Sequence, residues 1–419
     1  MKEKVGLLNR EVQGVECVDG AVLGALGLPP VPSRILREGL DLVLRERELW
    51  LEVLTQEQGR RRIDVDREWE ALARVLPLVL ESHPGPEWEP RGVAAILLSS
   101  VWPLYHSVLF AFSALRAGCP VILKPSENAP QSVWSWVERL RAHHASFRAL
   151  QCLVGDREVG RRLACHERID TVAFMGSFEN GMRVRQDTLA RPSKEVLLHL
   201  GNRNVAVLSG VGVPEDALER ILESAFAESG QDCKSTAMLF VPEGQADLWM
   251  KRIQSRIVQM RPLDPLTDPA RLDRFLKWAN VAEREGGRVI LRGKPQSGNA
   301  GSGSVSPSVV GFPRLEADSL RRSVALQTEV LGPLLGVISY RDPEHLVSML
   351  GALHHAHTCS LFGADLPDPG VIPFSRVLRN QTPQEADPSI PVHYRKRNGN
   401  HALLGVALPL QFMCRTLKC

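Results

Sequence analysis

The sequence predicts an α/β protein of two domains, the first built on a parallel sheet wrapped by helices on both faces. Three observations predict this class. The chain has 419 residues, more than one ordinary core accommodates. From Val93 onward, short apolar runs alternate with segments of helical spacing. A second set of strand-like runs begins at Glu195 and carries the pattern past the first sheet.

Taken in order, Ser33 to Leu80 has apolar residues at helical spacing among many arginines and glutamates, and a basic break at Arg60 to Arg62 divides it into two long helices. A Pro/Gly/Glu-rich connector, His83 to Arg91, leads into the buried strand Val93 to Leu98. Helix Leu104–Ala117, strand Val121–Leu123, helix Gln131–His143, strand Leu150–Val154, helix Glu158–Ala164 and strand Thr171–Phe174 follow. Strands at Glu195–Leu200 and Val205–Leu208 then precede a helix from Glu215 to Glu228, and Lys294 to Ser308 reads as a loop within the second region. The Gly-x-Gly-x-x-Gly dinucleotide fingerprint is absent, so alternation alone does not establish a dinucleotide site.

Composition narrows the function class. A hydrophobic fraction of 44% with 24% charged residues is ordinary for a globular protein, and 51 Lys+Arg against 48 Asp+Glu is too balanced for a nucleic-acid footprint. The eight cysteines show no CxxC pairing, which argues for a reducing compartment and against a disulfide framework. His354, His355, His357 and Cys359 cluster on one short stretch without a second ligand pair, so no metal is expected. Met1 to Arg10 lacks the apolar run of a signal peptide, and no apolar stretch is long enough to cross a bilayer. A cytoplasmic protein with no membrane partner is the expectation.

Several short motifs, in a consistent order, carry a resemblance. Leu123-Lys-Pro-Ser-Glu127, Gly155 to Gly160, Phe174-Met-Gly-Ser177, Gly230-Gln-Asp-Cys233, Glu329-Val-Leu-Gly-Pro333 and Gly399-Asn-His401 together resemble the aldehyde dehydrogenase superfamily, with the succinylglutamic semialdehyde dehydrogenase branch nearest. The resemblance implies a Rossmann-like cofactor domain at 1–204 including the N-terminal helices, a catalytic α/β domain at 205–385 and a C-terminal segment at 386–419. It implies Cys233 as thiol nucleophile, Lys124 and Glu127 on the adenosine ribose, Gly176 and Ser177 under the pyrophosphate, and Glu329 on the nicotinamide ribose. The cofactor is then NAD in preference to NADP, because a carboxylate at Glu127 accepts from a ribose diol and repels a 2′-phosphate. The partner is a small aldehyde or acyl compound, and the oligomeric state stays open, a homodimer being one option.

The chemistry explains why such residues are needed. A thiolate adds to an aldehyde carbonyl, so Cys233 is expected to have a depressed pKa. Each residue also has a plainer reading: a buried cysteine, a solvated turn at Lys124 and Glu127, an N-cap at Ser177, and a surface glutamate at Glu329. Two departures from the family pattern stand out. Val101 occupies the position of an amide donor to the oxyanion, and His199 occupies that of the glutamate that activates water. His199 is either a replacement base, with an unperturbed pKa of about 6.5, or a core histidine on an apolar strand. Asn202 and the basic stretch Val392 to Arg397 stand where glycines are expected. Oxidation to an acid, acyl transfer through a Cys233 thioester, and a non-catalytic binding role all remain open at this point.

Overall fold

A computed structural model describes residues 14–82, 88–201, 203–260, 263, 265–266, 268–296, 304–354, 356–386 and 408–415. The expected α/β architecture is present, in two compact units. The chain passes from one to the other between Leu200 and Gly201, a few residues ahead of the expected boundary, because the strand that starts at Arg203 pairs with strands of the second unit. Asn202, His355, Val392 to Arg397 and Gly399 to His401 lie outside the described residues.

The first unit opens with helices α1 (Cys17–Ala25), α2 (Ser33–Arg45), α3 (Arg47–Gln58) and α4 (Arg62–Glu81). Three helices, not two, fill Ser33 to Glu81, since the chain also breaks at Glu46 between α2 and α3. Then come β1 (Trp88–Pro90), β2 (Ala94–Leu97), α5 (Pro103–Arg116), β3 (Val121–Lys124), α6 (Pro130–His143), β4 (Leu150–Cys152), α7 (Arg157–Cys165), β5 (Thr171–Gly176), α8 (Phe178–Thr188) and β6 (Glu195–Leu200). Strands β2 to β6 form one sheet in the order β4-β3-β2-β5-β6, parallel throughout. That order reverses between β2 and β5, the point at which doubly wound sheets bind ligands beyond their carboxyl ends.

Local chemistry sets these elements. All four residues of β2 and of β3 are buried, as continuous apolar runs in a parallel sheet covered on both faces require. Pro103 opens α5 and Pro130 opens α6, where the missing N–H has no intrahelical partner to lose. Asp156 caps α7 by accepting from the amides of Glu158 and Val159, both at 3.0 Å, which stabilises a helix by about 1 kcal/mol. Val18, Val22 and Ala25 of α1 are fully buried in the apolar cluster that holds Ile122, Val159 and Leu163.

The second unit continues with β7 (Arg203–Leu208), α9 (Ala217–Phe226), β8 (Thr236–Pro242), α10 (Ala246–Val258), α11 (Pro269–Arg284), β9 (Arg288–Leu291), β10 (Ser308–Phe312), α12 (Ala317–Arg322), α13 (Val324–Gln327), β11 (Leu334–Tyr340), α14 (Pro343–Gly351), β12 (Ala356–Phe362) and β13 (Arg376–Arg379). Its sheet runs β13-β12-β7-β8-β11-β10-β9, parallel except where β9 meets β10. The C-terminal helix α15 (Leu408–Gln411) and strand β14 (Met413–Arg415) return to the first unit, where β14 pairs with β1.

Candidate active site

Lys124 ends β3, and its stem is buried against α7. Gly160 makes room for it: a Cβ there would come within 3.1 Å of Lys124 Cδ. The ammonium donates to the carbonyl of Pro125 at 2.9 Å. Burial pulls its pKa down, opposed by the charges of Glu127 and Asp156. Glu127, three residues on, is exposed. Gly176 ends β5, and Ser177 caps α8 by accepting from Asn180 N at 3.4 Å. The N-cap reading of Ser177 is therefore realised, at a helix start that also suits an anion. The structure thus brings Lys124 near Glu127, while Gly176 and Ser177 follow a different strand with β2 between. A dinucleotide fits these residues: the glycine-made cradle for Lys124, an exposed carboxylate and a capped helix start lie at the carboxyl edge of a sheet with a switch point.

The loop after β2 holds Val101. Ser99 Oγ accepts from Val101 N at 3.3 Å, so this hydroxyl closes the turn itself. Gln58 donates to Ser100 O at 2.7 Å. Trp102 follows in the left-handed region, with φ of 47°. Glu68, fully buried, accepts from Tyr105 N at 3.0 Å and pairs with Arg60, which fixes the start of α5 to the N-terminal helices. His106 donates from Nδ1 to Val101 O at 2.9 Å, since a carbonyl only accepts. Its ring lies 5.7 Å, centroid to centroid, from that of His199. His199 pairs in register with Met175 near the end of β6 and is buried. Two imidazoles therefore stand where one histidine was expected. Nothing in the spacing of the sequence distinguished His106.

The nucleophile segment lies in the second unit, just before β8. Glu228, Ser229 and Gly230 all have positive φ, at 49°, 56° and 66°. At Gly230 a Cβ would overlap the carbonyl of Gly332, so glycine is required by space as well as by φ. Gln231 donates to the carbonyls of Glu228 and Pro265, both at 3.3 Å. Lys234 N donates to Asp232 Oδ1 at 3.0 Å. Cys233 is half-buried, and its thiol is pushed well above its ordinary value by burial, then by Asp232. The expected depressed pKa is thus corrected: dehydration and an adjacent carboxylate both disfavour the thiolate, and Lys234 opposes them only in part.

Glu329 is half-buried and lies against Gly201, where an added Cβ would meet its carboxylate, the flexible end of the side chain. Two arginines act on it. Arg203 is buried and donates to Thr328 O at 2.6 Å and Ala325 O at 3.3 Å; burial pulls it down to about 10, so it stays charged at neutral pH. Arg271 is also lowered by burial, with the charge of Glu329 opposing that shift. The polar pair Arg203–Asn204, which opens an otherwise apolar strand, is the local signal of this arrangement. Among the described residues no cluster of three metal-type ligands occurs, and no helix is long and apolar enough to cross a membrane.

Fold and site together define a class: a two-unit α/β protein with a switch-point sheet in one unit and a cysteine on a constrained turn in the other. The chain belongs to the aldehyde dehydrogenase family, whose model matches residues 30–368. Solved structures share its fold. A betaine aldehyde dehydrogenase from Staphylococcus aureus aligns with a TM-score of 0.84 at 18% identity, over 96% of this chain and 87% of that one. Aldehyde dehydrogenase C from Pseudomonas syringae, solved with NAD+ and octanal, gives 0.82 at 21%, over 96% and 88%. A glyceraldehyde-3-phosphate dehydrogenase from Methanocaldococcus jannaschii, solved with NADP, gives 0.82 at 18%, over 97% and 95%.

Proposed function

We propose that the protein is a cytoplasmic oxidoreductase that interconverts an aldehyde and an acid or thioester on Cys233, with NAD preferred to NADP. The observation that carries this reading is the second unit's pairing of a cysteine on a glycine-dependent turn with Glu329 against Gly201. In this reading Cys233 loses its proton, its sulfur bonds to the carbonyl carbon, and the carbonyl oxygen takes up the negative charge. Bound dinucleotide supplies the hydride acceptor. Lys124, Glu127, Gly176 and Ser177 hold its adenosine ribose and pyrophosphate, and Glu329 holds its nicotinamide ribose. His199 serves as the base that takes a proton from the water that clears the acyl group. A likeness to the succinylglutamic semialdehyde branch is part of this proposal, supported by Gly399-Asn-His401 in the sequence, and points to a small acidic or amide-bearing aldehyde.

Cys233→Ala tests it: turnover of an aldehyde with NAD should fall by roughly 10³-fold or more while NAD binding persists. Full activity of that variant ends the assignment. His199→Ala should leave an acyl adduct on Cys233 that intact mass detects, and turnover of the unaltered protein should drop as falling pH protonates the imidazole. Rapid hydrolytic turnover in His199→Ala would remove the role given to this histidine. A binding role without turnover is favoured by the raised Cys233 thiol and by Val101. It predicts NAD binding with no adduct from any aldehyde.

A further inference from the structure

Strand β7 opens with two polar side chains, both buried, in a strand whose remaining residues are apolar and buried. Neighbouring strand residues point to opposite faces. Asn204, fully buried, donates from Nδ2 to Cys233 O at 2.8 Å and to Ser235 O at 3.1 Å. Its Oδ1 accepts from Thr358 N at 3.2 Å. Both amide hydrogens and the carbonyl oxygen are thereby used. The side chain is itself fixed by β12 and holds the carbonyls on either side of Lys234. Arg203 grips Thr328 O and Ala325 O, the main chain that leads into Glu329.

We propose that Arg203 and Asn204 are the positioning residues of this centre, Asn204 for the thiol of Cys233 and Arg203 for the carboxylate of Glu329. Because they are consecutive on one strand, a single rigid element sets where both groups stand. Stability alone does not call for them. An arginine held at this depth carries a desolvation cost, and an apolar side chain of the same volume would fill the space without it. What the guanidinium adds is a fork that spans two carbonyls, and what the amide adds is a three-point clamp. The inference rests on the roles proposed above for Cys233 and Glu329.

The test uses the full chain and two readouts besides turnover: the NAD dissociation constant by calorimetry, and the rate at which iodoacetamide labels Cys233 in protein without dinucleotide. Asn204→Leu should lower kcat about ten-fold and speed labelling by a similar factor, because the thiol is released from its burial, with NAD affinity within two-fold of the parent. Arg203→Met should weaken NAD about ten-fold and leave labelling unchanged. Arg203→Lys should recover only part of that loss, since a point charge does not span both carbonyls. Should either apolar variant fail to fold, Asn204→Asp and Arg203→Lys must show the same crossed pattern at smaller amplitude. Losses that appear in both readouts together, or in neither, overturn the inference while a dead Cys233→Ala keeps the functional reading. An active Cys233→Ala overturns both.

Discussion

In the first unit the candidate cofactor residues follow the carboxyl ends of β3 and β5, whereas in the second Cys233 and Glu329 precede the amino ends of β8 and β11. The first arrangement follows the general rule for doubly wound sheets, and its parts are generic: a lysine after a strand, a capped helix, an exposed carboxylate. The second is assembled at the opposite end of the strands and depends on particular backbone. Three consecutive left-handed residues and a glycine against the backbone carbonyl of Gly332 have no counterpart among the described residues of the first unit's binding edge, where Gly160 meets only the side chain of Lys124. The contrast teaches that the cofactor edge is built from side chains on ordinary backbone, while the thiol edge is specified by main-chain geometry.

The largest test of this contrast is Gly230→Ala. A left-handed alanine whose methyl overlaps the Gly332 carbonyl should destabilise the second unit by about 2–4 kcal/mol, read by urea unfolding, and abolish turnover if the unit survives. A variant that unfolds like the parent would show that the turn is not constrained. Next in size is the pH dependence of labelling. Since thiolate rises with pH and burial holds the Cys233 thiol well above its ordinary value, iodoacetamide labelling of the dinucleotide-free protein should still climb beyond a pH of about 10, where an ordinary thiol has levelled off. A plateau below pH 8 would contradict the raised thiol. The smallest effect belongs to the first unit. Glu127 is exposed and screened, so Glu127→Gln should narrow the preference for NAD over NADP by only roughly three- to five-fold in calorimetry. Tighter NADP binding by the unaltered protein would reverse the assignment.

Legibility in the sequence follows the same division. The first sheet was readable because parallel strands buried on both faces write themselves as apolar runs: Ala94–Leu97, Val121–Lys124 and Thr171–Gly176 stand where alternation places them. The break at Glu46 was not readable, since α2 and α3 continue one helical spacing across it. In the site, Cys233 and Glu329 came from motif resemblance, but the direction of the Cys233 shift did not, because it depends on burial and on how near Asp232 lies. His106 and Asn204 were missed for a related reason. Each acts through partners distant along the chain: His106 beside His199, and Asn204 on Cys233, Ser235 and Thr358. A local spacing rule does not reach such partners.

The turn before β8 also bears on exchange with solvent. Gln231 N is held by Glu228 O at 3.1 Å, Lys234 N by Asp232 Oδ1 at 3.0 Å, and Ser235 N by Asp232 O at 2.9 Å, while Asn204 ties down the carbonyls of Cys233 and Ser235. Irregular in its dihedrals, the segment is nonetheless hydrogen-bonded almost as a strand is. In deuterated water these amides should exchange on the slow timescale of the neighbouring sheet, faster only when the whole unit opens. The most irregular stretch of the second unit would then be among the last to let deuterium in.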